Sequence, residues 1–412
     1  MTLFKLALKS IRNNKILSGL SLLQMSALIV IVCVMVSSLC IRYESYKPFS
    51  EFLNSKGFIV CFNGPAMEFL DSSSFSYMTE EVFSERLSNA EKIVSCYQPM
   101  LVIGNESEGY LQFRSISMDD ELISDYIPEI ENGKWLSLNS EEIEAVVTQN
   151  NYGWKAGDVI SAYSVDELGN SNPRIVPVKI VGVLKEPVKI PFGNSTIAAN
   201  FDYNQIYYPY SLDIEQEPML IFSYSGLKKA DNIPQNIGYL SFVTYNTDVS
   251  DEKINIDMKE MDQYGSCYYE RLDIVNRNSI IYLQRQLYEL LPIVLLLMVL
   301  TAVSTCCCSA LSARRRLYDY AIFYIVGSEW KQCAVINLVQ SLIIALSSNF
   351  VSLVFLLCAL NAEMLNEIKL IVNIWLVLSV IFLNIFYLLI SVVMPLIIIG
   401  GQSPKNVLTQ RG

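Results

Sequence analysis

The sequence predicts a membrane protein with four transmembrane α-helices and one α+β extracytoplasmic domain. Four apolar runs, at 17–41, 287–311, 335–360 and 370–400, each reach the roughly 20 residues that a helix needs to cross about 30 Å of hydrocarbon. The 42–285 stretch between the first two runs is polar and rich in tyrosine. It carries 36 Asp/Glu against 19 Lys/Arg, so the acidic residues collect in one water-soluble domain.

Basic residues predict how the chain is oriented. They flank the first and second apolar runs and recur in the 401–412 tail, whereas the 361–369 turn has two acids and one lysine. By the positive-inside rule, both termini and the 312–334 loop are cytoplasmic, and the acidic domain lies outside. The cations that we assign to the inner leaflet are Lys5, Lys9, Arg12, Lys15, Arg314, Arg315 and Arg316.

The 1–16 segment has apolar side chains at helical spacing and cations on another face. This pattern favours an amphipathic helix on the anionic inner leaflet. The alternative is a positive flank that only sets orientation. The apolar run that follows is longer than a signal-peptide core and has no small-residue cleavage site, so we expect an uncleaved anchor.

The outer domain is predicted to mix helices and strands. Thr79 is expected to cap a helix that runs to about Ile93, with Glu80 and Glu81 in its first turn. A second helix is predicted at 248–261. Proline and glycine predict loops through 185–235. Segments rich in Val, Ile and Tyr predict strands at 57–63, 144–148, 174–184, 237–245 and 267–272.

The second apolar run continues a longer helical segment. Residues 273–311 contain no strong helix breaker except Pro292. We therefore expect one helix that begins outside the membrane as a stalk at 273–285 and is kinked at Pro292 rather than ended there.

The ten cysteines do not form a disulfide framework, because most lie in or beside the apolar runs. The spacing permits a Cys61–Cys96 disulfide but does not require one. Cys306, Cys307 and Cys308 are either palmitoylation sites or small packing residues, and packing is the simpler interpretation.

Several kinds of chemistry are excluded by the residues present. The chain has no G-x-x-x-x-G-K-[ST] phosphate loop and no histidine, so it lacks a nucleotide-binding loop of that type, His-based triads and HExxH zinc sites. Acid pairs such as Asp119/Asp120 and Glu141/Glu142 are interpreted as solvated surface rather than as catalytic carboxylates. We expect a non-catalytic chain without a cofactor of its own and without a nucleic-acid partner.

Polar residues within the apolar runs are almost all neutral. Glu289, at the edge of the second run, is the one acid, whereas ion-coupled carriers place charges along their pathway. The neutral residues that are predicted to make hydrogen bonds between helices are Gln24, Asn337, Gln340, Asn349, Asn373 and Asn384.

The chain has one span, a large outer domain, three spans and a basic tail. Along this layout, the local sequences of interest are, in order, 6–15 (LALKSIRNNK), 131–136 (ENGKWL), 144–147 (EAVV), 154–158 (WKAGD), 178–183 (VKIVGV), 314–328 (RRRLYDYAIFYIVGS) and 403–408 (SPKNVL). The layout and these sequences together resemble the FtsX-like/MacB permeases, the membrane subunits of mechanotransmitting (type VII) ABC transporters. The chain departs from the family pattern where Asp319 and Tyr320 replace a usual Glu-Ile pair and where Tyr324 replaces a common Arg.

The resemblance implies a MacB-like periplasmic core domain in a bacterial cytoplasmic membrane. It also implies two copies of a separate ABC ATPase, which would carry the ATP and Mg, and a second permease, identical or related. Residues 317–333 would be the coupling helix; the alternative is a plain inner loop with a basic clamp. The residues expected to contact the ATPase are Tyr318, Asp319, Ile322, Phe323, Val326 and Gly327.

The implied function is export of a peptide (an antimicrobial peptide, for example), a drug or a lipoprotein. One alternative is a non-exporting regulator that activates a cell-wall hydrolase by the same mechanical stroke. Another is a ligand-sensing membrane receptor. An extracytoplasmic adaptor or a hydrolase would be the outer partner in the first two cases.

Overall fold

The computed structural model describes residues 2–69, 75–105, 109–110, 113–138, 140–165, 174–193, 200–210, 218–327, 332–361 and 372–400. The helices are α1 (Thr2–Asn13), α2 (Lys15–Tyr46), α3 (Ser50–Leu53), α4 (Glu80–Arg86), α5 (Asp120–Asp125), α6 (Tyr224–Asp231), α7 (Asp251–Glu260), α8 (Leu272–Arg315), α9 (Leu317–Ile325), α10 (Gln332–Asn361) and α11 (Ile374–Gly400).

The strands are β1 (Gly57–Pro65), β2 (Met67–Phe69), β3 (Phe75–Tyr77), β4 (Lys92–Pro99), β5 (Leu101–Asn105), β6 (Gly109–Tyr110), β7 (Arg114–Met118), β8 (Ile130–Gly133), β9 (Glu144–Val147), β10 (Val159–Ser164), β11 (Arg174–Leu184), β12 (Val188–Pro191), β13 (Tyr207–Tyr210), β14 (Met219–Ser223), β15 (Gln235–Thr244) and β16 (Cys267–Arg271). Short 3₁₀ turns occupy Lys47–Phe49, Tyr203–Ile206 and Met261–Tyr264.

The chain divides into two compact units. The helical unit is Met1–Tyr43 with Leu283–Gly412, and the sheet unit is Glu44–Tyr282. Most of the predicted 361–369 turn, residues 328–331 of the predicted coupling segment and the 401–412 tail lie outside the described residues.

Four helices of the described chain, α2, α8, α10 and α11, are long and apolar enough to cross a membrane. Side-chain hydrogen bonds join them inside the helical unit. Asn349 Nδ2 donates to Asn384 Oδ1 at 3.0 Å, which confirms the predicted inter-helix bond. Ser352 Oγ donates to the carbonyl of Ser26 at 3.1 Å and so ties α10 to α2.

Helix α8 is continuous from Leu272 to Arg315 and contains Pro292 within it. At 1.5 Å per residue its 44 residues extend about 66 Å, more than twice the thickness of a bilayer core. The helix therefore has length to spare beyond one membrane crossing, as the stalk prediction requires.

The sheet unit contains two main sheets. The first has the strand order β16-β1-β15-β4 and is antiparallel throughout. The second has the order β6-β5-β10-β11-β9-β14-β7, with β8 paired to β11, and mixes parallel and antiparallel neighbours. Helices α4 and α7 pack on the first sheet through Phe83 and Ile254, and α6 packs on the second through Leu227.

Two glycines of the family-like motifs allow a close approach of β8 to β11. Gly133 pairs with Gly182, and a Cβ on Gly182 would stand 2.3 Å from the carbonyl oxygen of Lys134. A Cβ on Gly133 would lie 2.2 Å from the carbonyl oxygen of Val181. No side chain fits at such distances, so the motif residues serve backbone packing.

The predicted helix from Thr79 to Ile93 is wrong at its C-terminal end. Thr79 caps α4 as expected, because its side chain accepts a hydrogen bond from the Val82 amide. The helix stops at Arg86, however, and 92–99 form β4 instead, which pairs with β15 along its length. Buried residues such as Val94 stabilise the strand through long-range contacts that local propensity does not report.

The loops predicted for 185–235 are also only partly correct. This stretch contains β12, β13 and β14 and helix α6. Pro191 and Pro209 lie within the paired strands β12 and β13, which form an isolated two-stranded ribbon in which a proline costs little.

Cys61 and Cys96 do not form a disulfide. They lie on β1 and β4, which flank β15 on opposite sides. Two strand spacings of about 4.8 Å separate them, beyond the roughly 7 Å that a disulfide spans. Cys96 Sγ instead donates to the carbonyl of Pro191 at 3.6 Å.

Candidate functional site

Helix α9 is held against the helical unit by a small apolar core. Tyr320, Ile336 and Ile399 are buried together, and Leu6 and Phe323 pack against them. Tyr320 OH donates to Asn337 Oδ1 of α10 at 3.3 Å, which adds a polar link in this core. The position of α9 on α10 is therefore fixed by packing.

The opposite face of α9 is exposed and apolar. Val326 is 80% exposed and Ile322 is 40% exposed, and Tyr318 is also exposed. Ile325 extends the same patch, and Tyr324 is exposed on another side of the helix, although the sequence reasoning selected neither. The three-residue spacing of Ile325 from Ile322 on a helix could have indicated this extension.

The chain turns away at the end of α9. Gly327 adopts a φ of +102°, and its amide donates to the carbonyl of Tyr324. A left-handed residue after the last turn is a usual way to end a helix. Of the residues predicted to contact an ATPase, Asp319 and Gly327 are exposed, whereas Phe323 packs inward and serves the core.

A groove of about 290 Å³ runs between α1, α9 and α10. Its floor is apolar and includes Leu6 and Phe323, and its rim carries Lys9, Arg316 and Asp319. Two cations predicted for lipid headgroups thus lie beside the exposed helix.

Of the other predicted cations, four are exposed and one makes a hydrogen bond within the helical unit. Lys5, Arg12, Lys15 and Arg314 are exposed. Arg315 donates to Asn14 Oδ1 at 3.2 Å and so links the end of α8 to the turn between α1 and α2.

Helix α1 divides its apolar residues between two surfaces. Ala7 is buried, whereas Phe4 and Leu8 are exposed next to the exposed Lys5 and Lys9. Exposed apolar side chains beside cations suit a helix that lies in the interface of an anionic membrane.

A second candidate site lies in the sheet unit, in a segment that we call the strap, residues 200–210. A 3₁₀ turn capped by Asp202 and the strand β13 give it a defined conformation. The strap contacts both ends of the sheet unit, the segment after residue 44 and the first turns of α8. Sequence reasoning missed it because these contacts join positions that are far apart along the chain.

The strap is attached to α8 by hydrogen bonds and by a contact between aromatic rings. The amide of Tyr203 donates to Ser279 Oγ at 2.9 Å, and Asn278 Nδ2 donates to the carbonyl of Phe201 at 3.0 Å. The Tyr203 and Tyr282 rings meet edge to face, with their centroids 5.7 Å apart.

On the other side, the strap holds the residues that follow Tyr43. Tyr207 OH donates to the carbonyl of Ser45 at 2.7 Å, and its ring lies 5.0 Å from that of Phe49. Tyr46 donates to Asn276 at 2.8 Å, so the start and the end of the sheet unit are also joined directly. The strap thus fixes both ends of the sheet unit with respect to each other.

The sheet unit also half-buries one of the acids assigned to solvated surface. Asp119 accepts hydrogen bonds from the amide of Ser95 at 2.6 Å and from Tyr97 OH at 3.1 Å. Burial raises the pKa of Asp119 to about 7, although these two bonds act in the opposite direction. The interpretation of Asp119 as solvated surface is therefore wrong, whereas Glu141 and Glu142 are exposed as expected.

Within the described ranges, no group of three or more His, Cys, Asp or Glu side chains could hold a metal ion. Glu289, the acid at the edge of the second apolar run, pairs with Arg285 at 2.9 Å on the same helix.

Comparisons with family models and with curated proteins find no match to this chain. Solved structures do show similarities. The periplasmic region of MacB from Actinobacillus actinomycetemcomitans is 11% identical, covers 54% of this chain and 91% of its own, and has a TM-score of 0.27. The extracellular domain of the noncanonic ABC-type transporter YknZ from Gram-positive bacteria is 12% identical, covers 51% of this chain and 99% of its own, and has a TM-score of 0.26.

A domain of a putative permease protein from Porphyromonas gingivalis shows a comparable similarity. It is 12% identical, covers 52% of this chain and 88% of its own, and has a TM-score of 0.24. At TM-scores this low the function of the chain has to be argued from its own residues.

Proposed function

We propose that this chain is the permease subunit of a MacB-type ABC transporter and transmits the motion of a separate ATPase to its sheet unit. The observation that carries the proposal is the single helix α8. Its N-terminal turns are bonded to the strap, and its C-terminal end leads within two residues into α9 and its exposed apolar face.

In this proposal the ends of the helical unit that carry α1 and α9 are cytoplasmic, and the sheet unit is extracytoplasmic. Two ABC ATPase subunits, which bind ATP and Mg, dock on the α9 faces of two permeases, identical or related. The exposed Ile322 and Val326 supply apolar contact area, and Lys9 and Arg316 at the groove rim attract acidic residues of the ATPase.

Closure of the ATPases on ATP would displace α9 and with it α8. Because α8 continues without a break through Pro292, the displacement would reach its first turns. There the Ser279–Tyr203 and Asn278–Phe201 bonds pass it to the strap and the sheets. The stroke acts outside the membrane and serves export of a peptide, a drug or a lipoprotein.

The test is the activity of the chain together with its cognate ABC ATPase in membranes. Co-expression should raise ATP hydrolysis above that of the ATPase alone. Ile322→Asp should abolish the increase and the co-purification of the ATPase, because it places a charge in the apolar contact. The matched control is Ile256→Asp on α7, an equally apolar residue that is 59% exposed in the sheet unit, which should change neither.

Ile322 is a better probe than Phe323, because Phe323 packs in the core of α9 and its loss would disturb folding. Full stimulation by the Ile322→Asp chain would contradict ATPase docking on α9. Normal stimulation combined with a cell-wall defect and an outer hydrolase partner would assign the same stroke to hydrolase activation instead of export.

A further inference from the structure

The helical unit contains a small polar pocket between α2, α8, α10 and α11, with a volume of about 30 Å³. Hydroxyl and amide side chains line it, although these helices are otherwise apolar. The lining residues used below are Ser18, Thr305, Ser312 and Asn337.

Four polar atoms of this lining are buried and have no hydrogen-bond partner in the described part of the chain. They are Ser18 Oγ, Thr305 Oγ1, Ser312 Oγ and Asn337 Nδ2. The four side chains are at most 7% exposed. Each such orphaned group costs about 1–3 kcal/mol, so four around one cavity indicate a common polar occupant.

The hydroxyls could have been satisfied locally. A serine in a helix often donates to the carbonyl four residues earlier, as Ser26 does to Leu22 at 2.8 Å in α2. Ser18, Thr305 and Ser312 do not make this bond, which leaves their O–H groups available to the pocket. Asn337 uses its Oδ1 to accept from Tyr320, so its Nδ2 is the group that remains for an occupant.

Volume and charge together select the occupant. A buried water needs about 10–15 Å³ of such space and two to four polar partners. The pocket therefore holds about two waters and is too small for a peptide or a drug. No Asp, Glu, Lys or Arg lines it among the described residues, so a charged occupant would lack a counter-charge.

We propose that this pocket is a binding site for two ordered water molecules, which join α2, α8 and α10. The waters accept from Asn337 Nδ2 and exchange hydrogen bonds with the hydroxyls of Ser18, Thr305 and Ser312. Through Asn337 and Tyr320 the water network reaches α9. Hydration of the pocket is a property of the helical unit alone and does not depend on the proposed transport function.

Two buried hydroxyls of the helical unit, one inside the pocket and one outside it, allow a test. The two cases differ in the direction in which removing the hydroxyl shifts the SDS unfolding midpoint. Thr305→Val keeps the shape of the side chain but removes a water ligand. Ser37→Ala is the matched control, because Ser37 Oγ is also buried without a partner among the described residues but does not line the pocket. The full-length chain in detergent micelles is unfolded with increasing SDS, and the midpoint is compared with that of the unaltered protein.

In a hydrated pocket, Thr305→Val lowers the SDS midpoint and Ser37→Ala leaves it unchanged or raises it. In a dry pocket, both variants raise it, since each removes an unsatisfied hydroxyl. An experimental density map that resolves ordered water gives the second readout, with two peaks within hydrogen-bond distance of Thr305 Oγ1 or Ser312 Oγ. A raised midpoint for Thr305→Val, or a map without such peaks, overturns the proposal.

Discussion

Removing the hydroxyl of Ser279 should loosen the attachment of the strap to α8. This side chain is fully buried and makes two bonds: it donates to the carbonyl of Val275 at 2.7 Å and accepts from the amide of Tyr203 at 2.9 Å. In Ser279→Ala the amide of Tyr203 remains buried and loses its acceptor. The carbonyl of Val275 keeps its helical hydrogen bond, so the loss falls on Tyr203.

The size of the effect follows from the cost of an unsatisfied buried donor, about 1–3 kcal/mol. Since about 1.4 kcal/mol changes an equilibrium tenfold, local opening of the strap should become roughly 5- to 150-fold more frequent. Hydrogen exchange measures this opening directly, because an amide exchanges when its segment opens.

The assay is hydrogen–deuterium exchange with mass spectrometry on the full-length chain, read from peptides covering 200–210. The matched control is Ser124→Ala, because Ser124 Oγ donates to the carbonyl four residues earlier in the same way but is exposed. Faster exchange of the strap in Ser279→Ala alone is the expected result. Equal exchange in both variants would refute the role of Ser279 in holding the strap.

Three further predictions concern the sheet unit and α9. The pKa of Asp119 is raised from 3.8 to about 7, so between these pH values the folded state keeps a proton that the unfolded state loses. The free energy of unfolding should therefore fall by on the order of 4 kcal/mol as pH rises from 3.8 to about 7. Asp119→Asn should remove this pH dependence of the unfolding midpoint, and an unchanged pH dependence would contradict the assignment. Gly182→Ala should destabilise the sheet unit by more than about 2 kcal/mol in a denaturant titration, because its Cβ would meet a carbonyl oxygen at 2.3 Å, whereas Gly226→Ala, whose nearest contact would be 3.3 Å, should cost far less. Val326→Asp should weaken ATPase co-purification as Ile322→Asp does without changing the unfolding midpoint, since Val326 is 80% exposed; retention of the ATPase by this variant would restrict the docking face to the first turns of α9.

Elements whose residues carry a strong local pattern were predictable from the sequence. Strand β11 has the predicted bounds Arg174–Leu184, because a long run of Val and Ile is sufficient to specify a strand there. Helix α8 was also predictable, since its only breaker, Pro292, is tolerated within the helix.

Elements that depend on distant partners were missed. The local pattern predicts the end of a helix where strand β4 begins. It misses the strand because β4 pairs with β15, a segment far away along the chain. Asp119 accepts hydrogen bonds from Ser95 and Tyr97 on β4, and the acid pair alone does not reveal these distant partners. The strap lies in a stretch rich in proline and tyrosine, where only the contacts of Tyr203 and Tyr207 show its role.

For α9, the sequence predicted a helix with an apolar surface but did not show which of its side chains are exposed. Ile322 and Val326 are exposed, whereas Phe323 turns inward because Tyr320, Ile336 and Ile399 form a core on that side. Helical spacing places residues on a common stripe, but it does not say which stripe faces the protein.

The most direct test of the central proposal is whether the nucleotide state of the ATPase changes the strap. Hydrogen–deuterium exchange of the permease–ATPase complex, with and without trapped ATP, follows α9 and residues 200–210 in one experiment. Transmission through α8 predicts that ATP changes exchange at α9 and also at the strap and the first turns of α8, and that Ser279→Ala removes the response of the strap while that of α9 remains. A response confined to α9 in the unaltered chain would contradict transmission of force to the sheet unit.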